Sequence, residues 1–265
     1  MKFVPKVPKK TADISTGTKD WPTFLKHALS AVITIVAVYL VLGWTCDIVS
    51  LYIPDRYEAR LFEWLKTGRQ SKDTPESARA RGMFDEMAAR PELRKLPYQL
   101  FIMKSRKPNA FAFPGGGVGL TRGLVKEVKS DAGLALVIGH ELGHHQHRDA
   151  MRGLGRSLLY QVAMSIFFGD SKSSSAAESM LKAAQAGYSR KRERRADEFG
   201  LKLVHDVFGH REGEFEFFEK LVKEGKDKSS KWNPFFQSHP YTPERIKYLK
   251  GLDKELQRKD RRKEG

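Results

Sequence analysis

The 265-residue chain has a single cysteine, Cys46. One thiol excludes an intrachain disulfide framework and any zinc site built from several cysteines, so a metal would have to be held by His, Asp and Glu side chains. Acidic residues are short in supply as well: 32 against 48 Lys and Arg leave a formal net charge of +16. The basic stretches lie in the amino-terminal tail, at Arg190 to Arg195 and at Arg258 to Lys263; the latter two have no aromatic side chains, and the lysines from Lys6 to Lys19 have none among them. Without such stacking platforms they read as a solvated surface suited to anionic lipid, and nucleic acid is not an expected partner. Long apolar runs are scarce too. Only Ala28 to Cys46 combines spanning length with freedom from charge, and Tyr39 and Trp44 sit toward its exit. Ser157 to Phe168 is apolar but too short for a second span.

This composition suggests four segments: a basic flexible tail over 1–27, a transmembrane anchor over 28–49, juxtamembrane helices over 50–90 and a catalytic domain over 91–265. The tail is long for a signal peptide and no A-x-A cleavage pattern follows the apolar run, so the anchor is expected to stay attached, in a single pass. The lysines before the span and the arginines after it nearly balance. We expect the tail inside and the domain outside, in a bacterial inner membrane.

Beyond the anchor, Tyr57, Leu61, Phe62, Trp64 and Leu65 suggest an amphipathic helix. Thr74-Pro75-Glu76 marks a helix start, and Met83, Phe84, Met87 and Ala88 form its apolar face before Pro91. Tyr98 to Met103 and Ala110 to Phe113 are strand-like, and a glycine-rich bend follows at Pro114 to Gly117. No G-K-[ST] follows those glycines and the G-x-G-x-x-G register fails at Arg122, which excludes a phosphate loop. A strand pair beside the active site, to whose edge an extended peptide could add, is the better reading.

The chain does contain His140-Glu141-Leu142-Gly143-His144. On a helix this spacing points both imidazoles into one volume, where they can share a zinc ion, with Glu141 placed beside it as a general base. Ser130 or Asp131 is a suitable N-cap, and Leu134, Val137 and Ile138 continue the histidine face. His145 points away from that face and His147 lies a turn further on, so both are supporting or surface histidines. His147 and Ala150 occupy the positions where a metzincin needs Gly and His, which excludes that class. A third ligand is expected on a helix from about Ala176 to Val207, where Glu193, Asp197, Gly200, Leu201 and Val204 share a face. Ala196 and Gly200 there are small enough for a close helix crossing. On spacing alone, Glu193 could equally serve to offset its arginine neighbours.

Several separated segments, in order, resemble the gluzincin metallopeptidases of the HtpX and CAAX-prenyl-protease type, family M48, from about Asn109 to Tyr248. They are Asn109 to Gly116, His140 to His144, Ser189-Arg190 with Glu193-x-x-Ala196-Asp197, and Ser238-His239-Pro240 with Arg245-Ile246. The resemblance implies His140, His144 and Glu193 as ligands of one Zn2+ per chain and Glu141 as the base. It implies Asp197 as the carboxylate orienting a ligand histidine, supported by Arg245, and His239 as the oxyanion donor. Substrate backbone would lie along Asn109, Ala110, Phe111, Ala112 and Phe113. Members of the HtpX type carry several spans, unlike this chain.

The expected fold is therefore α+β and mainly helical: a zincin-like metallopeptidase domain with a small β-sheet, preceded by one transmembrane helix. The expected activity is endopeptidase cleavage of extended polypeptides at the lipid bilayer, in quality control of misfolded membrane or envelope proteins. The alternative is a chaperone-like or scaffolding membrane protein on the same fold. Oligomeric state is not legible.

Overall fold

The computed structural model describes residues 21–63, 74–168, 189–209, 213–224, 235, 238–239 and 243–264. The chain forms two compact units, 1–45 and 46–265. Helix α1 (Trp21–Tyr52) begins at Trp21, with Pro22 in its first turn, where a missing N–H costs nothing. That is earlier than the Ala28 start expected from composition. Within residues 21–45 the helix is long and apolar enough to cross a membrane, and Leu29, Val32, Ile33, Val36, Leu40 and Val41 are exposed. The hydroxyls of Thr34 and Thr45 donate to the carbonyls of Ser30 and Val41 at 2.9 Å, so neither needs water.

In the larger unit, Pro54 separates α1 from α2 (Asp55–Leu61), so the expected amphipathic helix is a short, distinct one. Helix α3 (Pro75–Ala88) starts where its sequence says it should. Thr74 is the N-cap, its hydroxyl accepts from the Ser77 N–H, and Ser77 accepts in return from the Thr74 N–H. The strands are β1 (Gln99–Met103), β2 (Ala110–Phe113) and β3 (Gly117–Thr121), in the order β1-β3-β2. β3 pairs parallel to β1, with Phe101 opposite Gly119, and antiparallel to β2, with Phe111 opposite Gly119. The bend between β2 and β3 requires its glycines: Gly115 and Gly116 have φ of 84° and 94°, values a residue with a Cβ rarely adopts.

Helices α4 (Arg122–Glu127) and α5 (Asp131–Gln146) follow, and Ser130 caps α5 by accepting from the Gly133 N–H at 3.2 Å. Every residue of α5 from Ala132 to His145 is buried, which is why its sequence is apolar on all faces. Then come α6 (Asp149–Phe168), α7 (Arg190–Phe208), α8 (Glu216–Glu224) and α9 (Pro243–Glu264). The serine-rich stretch Asp170 to Ser175 and the expected earlier part of the α7 helix, 176–188, lie outside the described residues.

The larger apolar cluster buries Phe84, Met87, Leu120, Leu134, Ile138, Leu201, Val204 and Leu249 around α5, and a smaller one gathers Phe62, Phe111, Phe113, Met151 and Leu154. α5 and α7 pack with almost no side chain between them at two points. A Cβ on Gly143 would lie 2.6 Å from the Ala196 carbonyl oxygen, and one on Gly200 would lie 2.6 Å from the His140 backbone nitrogen. The small residues at 196 and 200 thus allow the close approach read from the sequence, and the approach brings α7's carboxylates to α5's histidines. His205 closes the other end of α7 against α9 through a 2.8 Å bond to Asp253.

Candidate metal centre

His140, Glu141 and His144 come from the buried α5, Glu193 and Asp197 from α7, His239 from the turn before α9, and Arg245 from α9. The i, i+4 spacing on α5 sets the two histidine Nε2 atoms 3.1 Å apart. The Glu193 carboxylate spans both, with Oε2 3.6 Å from His140 Nε2 and Oε1 3.4 Å from His144 Nε2. The sequence left two readings of Glu193 open, and the geometry brings it to the histidines, where it also receives the Arg245 Nη1–H at 2.8 Å. Asp197, one turn along, bonds His140 Nδ1 at 2.8 Å and is gripped from behind by Arg245 Nε and Nη2, each at 2.8 Å. The structure brings these side chains together.

His239, from the turn before α9, joins the cluster. Its Nδ1 lies 3.1 Å from His140 Nε2 and 3.3 Å from Glu193 Oε1, inside the cluster, and its Nε2 lies 3.4 Å from Glu141 Oε1. Ser238 ties this turn to the sheet by donating to Asn109 Oδ1 at 3.3 Å. β2 forms an edge of the sheet, and all four of its side chains, Ala110, Phe111, Ala112 and Phe113, are buried, so it can offer a ligand only backbone. His145, expected to be a supporting or surface residue, is buried, and its Nε2 bonds the Gly117 carbonyl at 2.9 Å. His147 is half-buried and reaches the Arg195 carbonyl at 3.3 Å.

The donor atoms themselves test whether a cation fits. His140, His144, Glu193 and His239 are buried, and each offers a donor atom within 4.8 Å of the others. With Nδ1–H of His140 directed at Asp197 and Nδ1–H of His144 at Asp149 (3.1 Å), both Nε2 atoms present lone pairs to each other. Lone pairs 3.1 Å apart beside a carboxylate repel unless positive charge lies between them. Tetrahedral zinc with bonds of about 2.0–2.1 Å separates its ligands by ~3.3 Å, in the middle of the 3.1–3.6 Å range seen here. The residues fit the group.

Titration follows the same logic. Burial holds the His140 imidazole below its ordinary value, which favours the neutral form that binds metal. Burial opposes the charge on His144 as well, but Asp149 and Glu193 overcome it and push His144 up to about 10, so without a metal a proton takes the cation's place. Burial also works against ionised Glu193, yet His239, His144 and His140 hold its carboxyl well below the usual range. Glu141, fully buried, has both carboxylate oxygens without a hydrogen-bond partner among the described residues. An unsatisfied buried carboxylate is costly, and it suits a group that must exchange protons with a reactant.

A model of Peptidase family M48 matches residues 75–253. The chain belongs to this family. M48 proteins are metal-dependent peptidases, and the match takes in every site residue described above. A Vibrio cholerae protein provisionally named beta-barrel assembly-enhancing protease is 29% identical over 164 residues, which are 57% of this chain and 34% of that protein. The mitochondrial metalloendopeptidase OMA1 of Arabidopsis thaliana is 28% identical over 162 residues, 61% of this chain and 33% of that one. A protease HtpX homolog of Thermoplasma acidophilum is 30% identical over 111 residues, 39% of this M48 chain and 34% of its own length. The chain thus spans about a third of the length of these relatives.

Local sequence did not reveal two features. Asp149, which meets His144, follows a helix end that carries no turn-forming residue. Glu58 of α2 is buried, and its Oε1 accepts the Gly115 N–H at 3.1 Å while its Oε2 meets Arg94 Nη2 at 2.5 Å. Arg94 in turn donates to the His145 carbonyl at 2.8 Å, so α2, the glycine bend and the end of α5 form one unit.

Proposed function

We propose that this chain is a zinc-dependent endopeptidase anchored to a membrane by α1, with His140, His144 and Glu193 as zinc ligands and Glu141 as general base. The observation that carries the reading is the convergence of buried imidazoles and a carboxylate beside a buried Glu141 that has no hydrogen-bond partner among the described residues and lies 3.4 Å from His239 Nε2. Zinc, when bound, supplies Lewis acidity, polarising a carbonyl and lowering the pKa of water toward neutrality. Glu141 takes a proton from the attacking water and delivers it to the leaving amine. Asp197 and Arg245 fix the tautomer and direction of the His140 ring, so no reorganisation is needed during the reaction. His239 lies among the donor atoms here and is the donor to the developing oxyanion in this reading.

The substrate is polypeptide in extended form, aligned along the backbone of Asn109 to Phe113. The burial of all four β2 side chains supports main-chain recognition with little sequence preference. Such recognition suits misfolded membrane and envelope proteins, which expose extended backbone near the bilayer. A bacterial inner membrane with the domain on the outer side remains our assignment of place. The ion pairs of Asp55 and Glu58 with Arg94 support grouping α2 with the catalytic domain.

The test is Glu141→Gln in the full chain, assayed on unfolded casein. We expect the variant to keep its metal and to lose about 10²–10⁴-fold in rate. Cleavage at the wild-type rate would overturn the assignment. A metal-loaded wild type that cleaves nothing would favour the scaffolding alternative.

A further inference from the structure

Each of the two histidines on α5 has a carboxylate behind it. His140 has Asp197, held by Arg245. His144 has Asp149, whose Oδ2 lies 3.1 Å from His144 Nδ1 and whose side chain is fully buried. The other oxygen of Asp149 faces Arg192 Nε at 3.5 Å and Arg195 Nη2 at 3.7 Å. Asp197 is hydrogen-bonded by a guanidinium of α9, while Asp149 has guanidinium charge from α7 nearby without a hydrogen bond to that oxygen among the described residues.

The backbone is arranged to make this contact. α5 ends at Gln146, and the chain turns through Arg148, whose φ of 56° is the only positive value outside glycine among the described residues. A residue with a Cβ holds that conformation only when its surroundings impose it. Here Arg148 donates to the Ile53 carbonyl at 2.6 Å and to Asp55 Oδ1 at 2.9 Å. The turn places Asp149, the first residue of α6, beneath His144 instead of letting α5 run on. Arg192 also reaches Asp47 Oδ2 at 3.4 Å, and Arg156 grips the same carboxylate at 3.0 and 2.6 Å. A line of charge therefore runs from Asp47, near the end of α1, through Arg192 and Asp149 to His144.

We propose that Asp149 is the positioning residue of His144, and that Arg192, with its Nε 3.5 Å from Asp149 Oδ1, supports that carboxylate by its charge. The proposal rests on the metal-site reading above. Asp149 accepts Nδ1–H, leaves Nε2 free for the metal, fixes the plane of the ring and raises its basicity. The competing account is that Asp149 is only an acidic residue at a helix start, balanced by arginines.

The experiment uses the full chain in detergent and measures the zinc dissociation constant by competition with a chromogenic chelator, together with the visible absorption of the cobalt-substituted protein at saturation. The proteins are wild type, Asp149→Asn, Asp149→Glu and Arg192→Met. Asp149→Asn keeps the shape and should bind zinc about 10–100-fold more weakly, with a shifted cobalt band. Asp149→Glu, which restores an acceptor, should recover part of the loss, and Arg192→Met should lose about tenfold or less. Asp149→Asn binding zinc within about twofold of wild type, with the same cobalt spectrum, overturns the proposal and leaves the metal site standing. Weakened binding with an unshifted cobalt band overturns it in favour of the structural account. A wild type that binds no zinc overturns the metal-site reading, and this inference with it.

Discussion

Glu58→Ala should be among the most damaging single changes outside the metal centre, although Glu58 lies well before the catalytic motif. Its carboxylate is buried, takes the Gly115 N–H at 3.1 Å and the Arg94 guanidinium at 2.5 Å, and has Arg148 Nη1 at 3.6 Å. Removing it loses a charge-assisted bond, about 1.5–3 kcal/mol, and leaves the Gly115 N–H buried without its acceptor, about 1–3 kcal/mol. The penalty of a stranded guanidinium is avoided, because Arg94 keeps Asp55 at 2.7 Å and the His145 carbonyl at 2.8 Å. The expected total is ~3–5 kcal/mol. Glu58→Gln keeps an acceptor for Gly115 and loses only the charge, so it should cost ~1–3 kcal/mol. Chelated full-length protein unfolded in detergent and followed by circular dichroism should show the alanine variant melting about 6–15 °C below wild type and the glutamine variant between them. Alanine within about 0.5 kcal/mol of wild type, or indistinguishable from glutamine, would refute the claim that Glu58 clamps the glycine bend to the end of α5.

Gly200→Ala should force α7 away from α5, since its Cβ would meet the backbone of His140 and Gly139 at 2.6 and 2.7 Å. We expect a loss of ~1–3 kcal/mol with weakened zinc binding, while Gly251→Ala, whose Cβ meets nothing within 4 Å, should gain up to ~1 kcal/mol; equal effects would contradict the crossing argument. His145 supplies a pH dependence: burial brings its imidazole down to about 4 from the ordinary 6.5, so it stays neutral in the folded chain where the unfolded chain is protonated. Its contribution is complete above the unfolded value and is lost as the pH falls from 6.5 toward 4, at about 1.4 kcal/mol per pH unit, or ~3 kcal/mol in all. Denaturant titrations of chelated protein at pH 4.5 and 7 should show a smaller drop for His145→Gln than for wild type, and identical drops would contradict it.

Legibility in the sequence followed the range of each interaction. Ser130 and Thr74 mark helix starts because capping is decided within four residues, and the pairing of strands around Gly115 and Gly116 follows from a bend only glycine makes easily. The two histidines of α5 were legible for the same reason, since helix periodicity alone brings them together. Glu193 was not settled by spacing: a carboxylate among arginines has a bland explanation until the α5–α7 crossing places it between two imidazoles. Asp149 was hidden because the turn that delivers it rests on Arg148, which carries no turn propensity and is held by Ile53 and Asp55 from far back in the chain. Glu58 and Arg94 meet across 36 positions, a distance at which no local pattern speaks. His239 was anticipated as a functional residue, but its place inside the donor cluster depends on how the turn before α9 docks onto the site.

The most direct measurement is the metal content of the purified full chain, before and after chelation, with cleavage of unfolded casein followed on the same samples. We predict one equivalent of zinc per chain, loss of both zinc and cleavage on chelation, and recovery of both when one equivalent is returned. A folded chain that carries no zinc, takes none up, and still cleaves casein would contradict the account.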